Sequence, residues 1–281
     1  MASGAIVYGE SKIKAKDGLN LFYRYWRPPE PKATIVGVHG YAEHSGRYKH
    51  VGEFFAQNGF AFYIHDLRGH GLSDGERGFV NDFWEFINDL DLFVDHVRDR
   101  EKVGKVFMLG HSMGGLISII YAIEHPEKLL GLITSGAALK VGIKLSGIQE
   151  NLMKILSKVR PKYRPDIKID ASYLTHDENV NRAYVEDELV FKRGTIRLLI
   201  EMIKAMHWAF ENAERLSIPI LMMHGSDDKI IPPEASKEFF KKIKVIDKEL
   251  KIFPRFYHEI FNEKEKEKAL NTALKWVNNH L

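Results

Sequence analysis

Ser112 occupies a sequence context that would make its hydroxyl a nucleophile. An apolar run at residues 106–109 precedes Gly110-His111-Ser112-Met113-Gly114, and an apolar helical pattern begins at Leu116. A buried strand, a sharp turn and a helix in this order expose a serine hydroxyl at the end of the strand. The two glycines leave room where the strand and the helix come close together. The pattern therefore predicts that Ser112 attacks carbonyl carbon atoms.

A second Gly-x-Ser-x-Gly sequence, at residues 71–75, lacks this context. It follows the polar turn at residues 68–71 and precedes Glu76-Arg77-Gly78, so no strand leads into it and no helix follows it. Because glycine and serine are common residues, the pentapeptide alone occurs by chance in many chains. The surrounding elements therefore favour Ser112 over Ser73.

A nucleophilic serine needs a base, and the base needs a carboxylate that holds it in the correct tautomer. In folds that present a serine on such a turn from strand to helix, the acid follows the serine in the chain and the histidine follows the acid. The turn after one predicted strand holds Asp227 and Asp228, and the turn after the next holds His258. These turns lie at the carboxyl edge of the sheet, as Ser112 does. The order predicts His258 as the base and leaves Asp227 and Asp228 as equal alternatives, while His224, at a strand end, is interpreted as structural.

The negative oxygen formed by this attack needs two backbone N–H donors. One comes from the residue after the nucleophile and one from the loop after the third strand. These residues are Met113 and Tyr41, and Tyr41 follows the turn-forming pair His39-Gly40. We therefore expect the N–H groups of Tyr41 and Met113 to form an oxyanion hole.

The elements that must position these residues alternate along the chain. Residues 9–27 alternate polar and apolar side chains around Asp17-Gly18, which predicts an antiparallel hairpin with a type I′ turn. Short apolar runs predict strands at Thr34–His39, Phe60–His65, Lys105–Gly110, Leu129–Ser135, Pro219–Gly225 and Leu250–Phe253. Helical spacing predicts helices at Phe83–Val97, Leu116–Ala122, Ala235–Ile243 and Glu263–Leu281. We expect an α/β fold with a mostly parallel central sheet and helices on both faces.

The alternation stops between residues 139 and 217, which we call the insert. The pattern predicts a core of residues 1–138 and 218–281, with the insert forming a helical cap, or lid, over the nucleophile. Two apolar stripes at helical spacing predict helices whose faces pack on the core or cover an apolar substrate entrance. The stripes are Leu145, Ile148, Leu152, Ile155 and Leu156, and Ile196, Leu199, Ile200, Ile203 and Met206.

The composition argues against several classes of protein. A net charge of +3, with acidic and basic residues interspersed over 281 positions, lacks the basic clusters of a nucleic-acid-binding protein. The absence of cysteine excludes disulfides, thiol catalysis and cysteine-bound zinc. The histidines near Glu43 and Asp66 lack the spacing of a metal site, so no metal is predicted. The N-terminus resembles no signal peptide and no stretch suits a membrane span, which predicts a cytoplasmic protein.

With these residues in place, the chain resembles the monoacylglycerol lipase group of the α/β hydrolases, serine hydrolases similar to lysophospholipases. The resemblance lies in four ordered segments, at residues 39–48, 66–75, 110–115 and 224–228. It implies the α/β-hydrolase fold and the triad of Ser112, Asp228 and His258, with Asp227 as a turn residue. It also implies that an acyl-enzyme on Ser112 yields fatty acid and glycerol from monoacylglycerols, without a cofactor or an obligate protein partner.

The resemblance further implies an acyl tunnel under the lid and a narrow polar end for glycerol. Glu43, His44 and Arg47 are the candidates to line the polar end, and bracing of their loop by hydrogen bonds is the alternative. Lysophospholipids or short-chain and medium-chain esters are alternative substrates, because pocket shape and not the triad decides between them. A non-catalytic binding protein with this fold is a further alternative. An apolar lid on a slightly basic protein would also touch an anionic membrane surface transiently.

Overall fold

The computed structural model describes residues 5–140, 147–167 and 169–281, and for residues 147–151 it describes the backbone. Strands β1 (Val7–Lys14) and β2 (Asn20–Arg27) form the predicted antiparallel hairpin, with Lys14 opposite Asn20. The predicted type I′ turn is wrong. Such a turn needs positive φ at both central residues, and in this hairpin only Gly18 has it, at 94°. The connection is longer than two residues, because the Ala15 N–H already bonds the Leu19 carbonyl.

The six other strands form one sheet with this hairpin, and the predicted strands are confirmed with small changes of boundary. They are β3 (Ala33–Val38), β4 (Phe60–His65), β5 (Val106–His111), β6 (Leu129–Ser135), β7 (Ile220–Gly225) and β8 (Lys248–Phe253). The strand order is β1-β2-β4-β3-β5-β6-β7-β8. All neighbours from β4 to β8 are parallel, and β2 is antiparallel to β4. The carboxyl ends of the parallel strands therefore share one edge.

Helices cover both faces of this sheet, as the alternation predicts. They are α1 (Lys49–Gln57), α2 (Trp84–Glu101), α3 (Met113–Glu124), α4 (Gly147–Val159), α5 (Glu178–Glu186), α6 (Ile196–Glu211), α7 (Pro233–Lys242) and α8 (Lys266–Asn279). One buried apolar cluster joins residues of α2, α3, α6 and α7 to the sheet, and a second joins α1 and α8 to the sheet. No helix in the described part of the chain is long and apolar enough to cross a membrane.

Within the insert, the two predicted stripes differ in their surroundings. In α6, Ile196, Ile200, Ile203 and Met206 are buried and Leu199 is half-buried, as expected of a packed stripe. In α4, Leu152 is 65% exposed and Ile155 is 61% exposed, so packing on the core does not account for this face. Leu145 and the side chain of Ile148 lie outside the described residues. The division of the chain into core and cap remains a prediction.

Candidate active site

Ser112 lies on the turn between β5 and α3, in a conformation that few L residues adopt. Its φ is 53° and its ψ is −119°. A Cβ atom on Gly114 would lie 2.2 Å from the carbonyl oxygen of Val38, and one on Gly110 would lie 2.4 Å from the hydroxyl of Ser118. Both glycines are therefore required by the close approach of strand and helix. The turn presents the Ser112 side chain at the carboxyl edge of the sheet.

The residues predicted as base and acid converge on this hydroxyl. His258, in the loop after β8, has its Nε2 atom 2.9 Å from Ser112 Oγ. Its Nδ1 atom lies 2.6 Å from Asp228 Oδ2, so Nδ1–H donates to the carboxylate and Nε2 faces the hydroxyl. Asp227 is exposed to solvent and takes no part in this line. The arrangement permits transfer of the Ser112 proton to His258.

Asp228 is held by three further donors. Its Oδ1 atom accepts hydrogen bonds from the N–H groups of Ile230, at 2.8 Å, and Ile231, at 2.9 Å. Its Oδ2 atom lies 3.0 Å from Nε2 of buried His224, whose Nδ1 is 2.8 Å from the Ser236 hydroxyl. His224 therefore contacts the proposed catalytic acid directly, which its interpretation as a structural strand-end residue did not anticipate. The available signal was its position four residues before Asp228.

The charges of this line stabilise one another. Burial is the largest influence on His258 and lowers its pKa, but the charge of Asp228 and the hydrogen bond to it outweigh burial and raise the pKa above 6.5. Burial likewise raises the pKa of Asp228, yet His258 and the hydrogen bond from His224 bring it well below its ordinary value. Asp228 is therefore ionised at neutral pH and can stabilise a protonated His258.

The two proposed oxyanion donors flank the nucleophile. A Cβ atom on Gly40 would lie 3.1 Å from Ser112 Cβ, so the loop that carries Tyr41 passes directly beside the serine. Within the described residues, neither the Tyr41 N–H nor the Met113 N–H has a hydrogen-bond acceptor. Both groups are therefore available to a ligand, and their function as an oxyanion hole remains a prediction.

Glu43 and Arg47, predicted to line a polar subsite, form a buried network beneath this loop. Glu43 accepts hydrogen bonds from the Gly40 N–H at 2.6 Å, the Tyr48 hydroxyl at 2.7 Å and the Arg47 guanidinium at 2.7 Å. Arg47 also donates to both carboxylate oxygens of Glu259, at 2.6 and 2.8 Å. These bonds brace the loop, which is the alternative that the sequence left open. Because Glu43 and Arg47 also line a narrow space beside Ser112, of about 10 Å³, substrate contact remains a prediction for them.

The network keeps its charges although it is buried. Burial raises the pKa of Glu43, but the positive charge of Arg47 outweighs it and lowers the pKa to about 2. Burial lowers the pKa of Arg47, but the carboxylates of Glu259 and Glu43 raise it above its ordinary value. A buried carboxylate of this kind depends on its partner, because a lone buried charge is strongly destabilising.

Two residues of the loop after β3 contact the insert. The Nε2 atom of His44 lies 2.8 Å from Asp187 Oδ2. His44 lines neither the narrow space beside Ser112 nor the larger apolar cavity that opens from Ser112. Its prediction as a substrate ligand is not tested by this contact. The Tyr41 hydroxyl accepts a hydrogen bond from the Gly194 N–H at 2.6 Å, and its ring meets Phe191 edge to face at 5.2 Å. Tyr41 is therefore a link between the core and the insert and not a surface aromatic residue.

A mainly apolar cavity of about 340 Å³ opens from Ser112 between the core and the insert. Its lining includes Ser112, Met113 and Tyr41 from the core side, Leu199, Met202 and Met206 from α6, and Ile167, Ile169 and Tyr173 from the remainder of the insert. A mainly apolar cavity that contains the Ser112 hydroxyl suits an apolar chain whose reactive group lies beside that hydroxyl.

Ser73 lies elsewhere and has an internal role. Its hydroxyl donates to the Asp66 carbonyl and accepts from the Phe22 N–H at 2.9 Å. Asp66 in turn accepts hydrogen bonds from the N–H groups of Ser45 and Leu72, at 2.7 Å each. In the described ranges, no group of three or more histidine, aspartate or glutamate side chains is arranged to hold a metal ion.

A mostly parallel sheet that presents a serine on a strained turn from strand to helix, beside a histidine and a carboxylate, defines an α/β hydrolase. A family model described as "Serine aminopeptidase, S33" matches residues 29–265. The chain belongs to this family and, within the α/β hydrolases, to the monoacylglycerol lipase group that its four motifs resemble.

Similar proteins include enzymes named for lipid ester hydrolysis. The chain is 34% identical to a monoacylglycerol lipase of Mycolicibacterium smegmatis, over 97% of this chain and 98% of the relative. It is 30% identical to the phospholipase YtpA of Bacillus subtilis, over 91% of this chain and 99% of the relative. The crystal structure of a Paleococcus ferrophilus monoacylglycerol lipase matches with a TM-score of 0.84 and 30% identity, covering 99% of this chain and all of that one. These comparisons confirm the predicted fold class.

Proposed function

We propose that this protein is a serine carboxylic ester hydrolase that cleaves monoacylglycerols into fatty acid and glycerol. The observation that carries the proposal is the hydrogen-bonded line from Ser112 through His258 to Asp228, which opens onto an apolar cavity. The similarity to monoacylglycerol lipases over nearly the whole chain supports the same substrate class. No cofactor is needed for this reaction.

In the proposed mechanism, Ser112 Oγ attacks the ester carbonyl while His258 Nε2 takes its proton. The Tyr41 and Met113 N–H groups donate to the oxygen that becomes negative, which lowers the energy of the tetrahedral intermediate. Asp228 keeps the imidazole oriented and stabilises its positive charge. His258 then gives the proton to the departing glycerol oxygen. Water, activated by His258, releases the fatty acid from Ser112 by the same steps.

The test is hydrolysis of a medium-chain monoacylglycerol by Ser112→Ala, with Ser73→Ala as the matched control from the second pentapeptide. The Ser112 variant should lose about a thousandfold or more of kcat, whereas the control should retain measurable activity. A fluorophosphonate probe should label the wild-type protein and not the Ser112 variant. Turnover by Ser112→Ala at the wild-type rate would refute the mechanism, and an unlabelled, inactive wild type would favour the non-catalytic alternative.

Lysophospholipids are a second substrate class, and one feature of the cavity favours them. Lys229 lines the cavity, and its ammonium lies 4.6 Å from the centre of the Tyr173 ring, where it would meet an anionic head group. The Bacillus subtilis relative named as a phospholipase is consistent with this class. Comparing kcat/KM for a monoacylglycerol and a lysophospholipid of equal acyl length distinguishes the two. Preference for the charged substrate, lost in Lys229→Met, would replace the glyceride proposal.

We also propose that the exposed face of α4 contacts an anionic lipid surface. Leu152, Ile155 and Val159 present 65%, 61% and 73% of their surface to solvent, and the basic residues Lys158 and Arg160 are exposed beside them. An apolar helix face with basic neighbours is typical of helices that lie in a membrane interface. Such a contact would bring the cavity close to a membrane-borne substrate.

Co-sedimentation with vesicles containing phosphatidylglycerol tests this contact. Leu152→Asp and Ile155→Asp should reduce binding, and added salt should weaken it because part of the attraction is electrostatic. The matched control is Ile246→Asp on the core, which replaces an apolar side chain that is 98% exposed. No binding at low salt, or equal loss in the control, would refute the contact.

A further inference from the structure

We infer that the Met206 side chain separates the cavity beside Ser112 from a neighbouring groove and so limits the length of acyl chain that this enzyme accepts. The inference rests on the proposed function. Met206 lines the cavity that opens from Ser112, of about 340 Å³. It also lines a separate groove of about 450 Å³ between α6 and α7, together with Leu139, Ile203 and Phe210. Among the described residues, Met206 is the one that lines both spaces, and its side chain is 3% exposed.

The helical repeat of α6 explains this position. Leu199, Met202 and Met206 follow one another at intervals of three and four residues and face the cavity. Ile203, Met206 and Phe210 follow at intervals of three and four and face the groove. The two rows meet at Met206. Met202 lines only the cavity and Phe210 lines only the groove, whereas Met206 lines both.

The chemistry of the two spaces suits an acyl chain. The groove has an apolar floor, whereas its rim carries charged groups such as Lys140 and Glu238, which form an ion pair at 2.5 Å. Methylene groups that pass the position of Met206 would lie on the floor. Methionine is unbranched and flexible, so it closes the wall without a hydrogen bond that would have to be broken when it is removed.

Removing this side chain should join the two spaces. In Met206→Ala the acyl chain would extend from the cavity onto the apolar floor, and each extra buried methylene should raise kcat/KM by about fourfold. In Met206→Phe the wall would be thicker and the preferred acyl chain shorter. The two substitutions therefore predict opposite shifts of the same measured quantity.

The experiment is a kcat/KM profile over monoacylglycerols from octanoyl to stearoyl, with thermal melts to establish that each variant folds. Ile203→Ala, which alters the groove and not the cavity, is the matched control. The chain-length optimum should move to longer chains in Met206→Ala, to shorter chains in Met206→Phe, and stay in place in Ile203→Ala.

An unchanged optimum in folded, active Met206→Ala and Met206→Phe would overturn the inference, as would an equal shift in Ile203→Ala. This result is distinct from a failure of the proposed function. That failure would appear as absence of Ser112-dependent hydrolysis of any glyceride by the wild-type protein. The role of Met206 is tested only by the dependence of kcat/KM on acyl-chain length in variants that remain active.

Discussion

The guanidinium of Arg47 donates two hydrogen bonds to the carboxylate of Glu259, at 2.6 and 2.8 Å, although 212 residues separate them in the chain. Glu259 is the sequence neighbour of His258, the proposed base. The same guanidinium bonds Glu43, which holds the Gly40 N–H beside the proposed oxyanion donor Tyr41. Arg47 thereby connects the loop that would stabilise the oxyanion to the loop that carries the base.

Substitution of Arg47 by methionine should reduce both activity and stability. Two buried carboxylates would lose their partner, and breaking a buried ion pair of this kind costs about 3–5 kcal/mol. We expect kcat to fall by about tenfold to a hundredfold, because both loops would lose their position. Steady-state kinetics and thermal melting check this. Arg47→Lys should restore part of kcat, and equal loss in the two variants would argue against a role for the charge.

His224 should influence the pKa of His258 through its hydrogen bond to Asp228. In His224→Leu the hydrogen bond that lowers the pKa of Asp228 is lost, so the carboxylate becomes more basic and attracts protonated His258 more strongly. The acid limb of the kcat/KM profile should therefore move to higher pH, with a fall in kcat/KM of about tenfold. His224→Gln, which retains a side-chain N–H, should return the limb toward its wild-type position. An unmoved limb in His224→Leu would mean that His224 acts only in packing.

The wild-type pH profile should report the state of His258. The base must be neutral to accept the Ser112 proton, and its pKa in the folded protein is raised above 6.5 by Asp228. Activity should therefore fall as the pH drops through a value above 6.5, in the free enzyme as measured by kcat/KM. An acid limb centred below 6.5 would contradict the predicted pairing.

Acid should destabilise the fold through buried histidines. His65 and His70 are fully buried, and burial is the main cause that lowers the pKa of each to about 3. Their unfolded pKa is about 6.5. Between these two pKa values the unfolded chain binds more protons than the folded protein does. The contribution of each histidine to the free energy of unfolding is therefore fully present above pH 6.5 and is lost as the pH falls toward 3. Each group should contribute a slope of about 1.4 kcal/mol per pH unit.

His65→Leu provides the check on this slope. Both ring nitrogens of His65 lack a hydrogen-bond partner among the described residues, so leucine removes two buried polar atoms along with one titrating group. Denaturant unfolding across pH 4 to 7 should show a shallower loss for the variant, and a gain in stability relative to wild type that grows as the pH falls. Parallel curves for the two proteins would disprove the role of His65.

Local patterns in the sequence determined much of this molecule. The apolar runs specify the strands, because a strand buried on both faces needs apolar side chains throughout. Gly110 and Gly114 around Ser112 specify the turn, because a Cβ at either position would collide with neighbouring atoms. The assignment of Ser112 as nucleophile and His258 as base also follows from the sequence, because each residue comes directly after a predicted strand and in the expected order along the chain. The type of the first hairpin turn does not, because Asp17-Gly18 is compatible with more than one loop length.

Tertiary packing decided which side chains meet. Asp227 and Asp228 are adjacent in sequence, and only the fold of their turn directs Asp228 toward His258 and leaves Asp227 in solvent. Helix α4 has a periodic apolar stripe, yet Leu152 and Ile155 lie exposed. Local propensity and periodicity depend on neighbours within a few residues. The direction of a side chain and the identity of its partner depend instead on groups that packing brings from distant parts of the chain, as it brings Glu259 to Arg47.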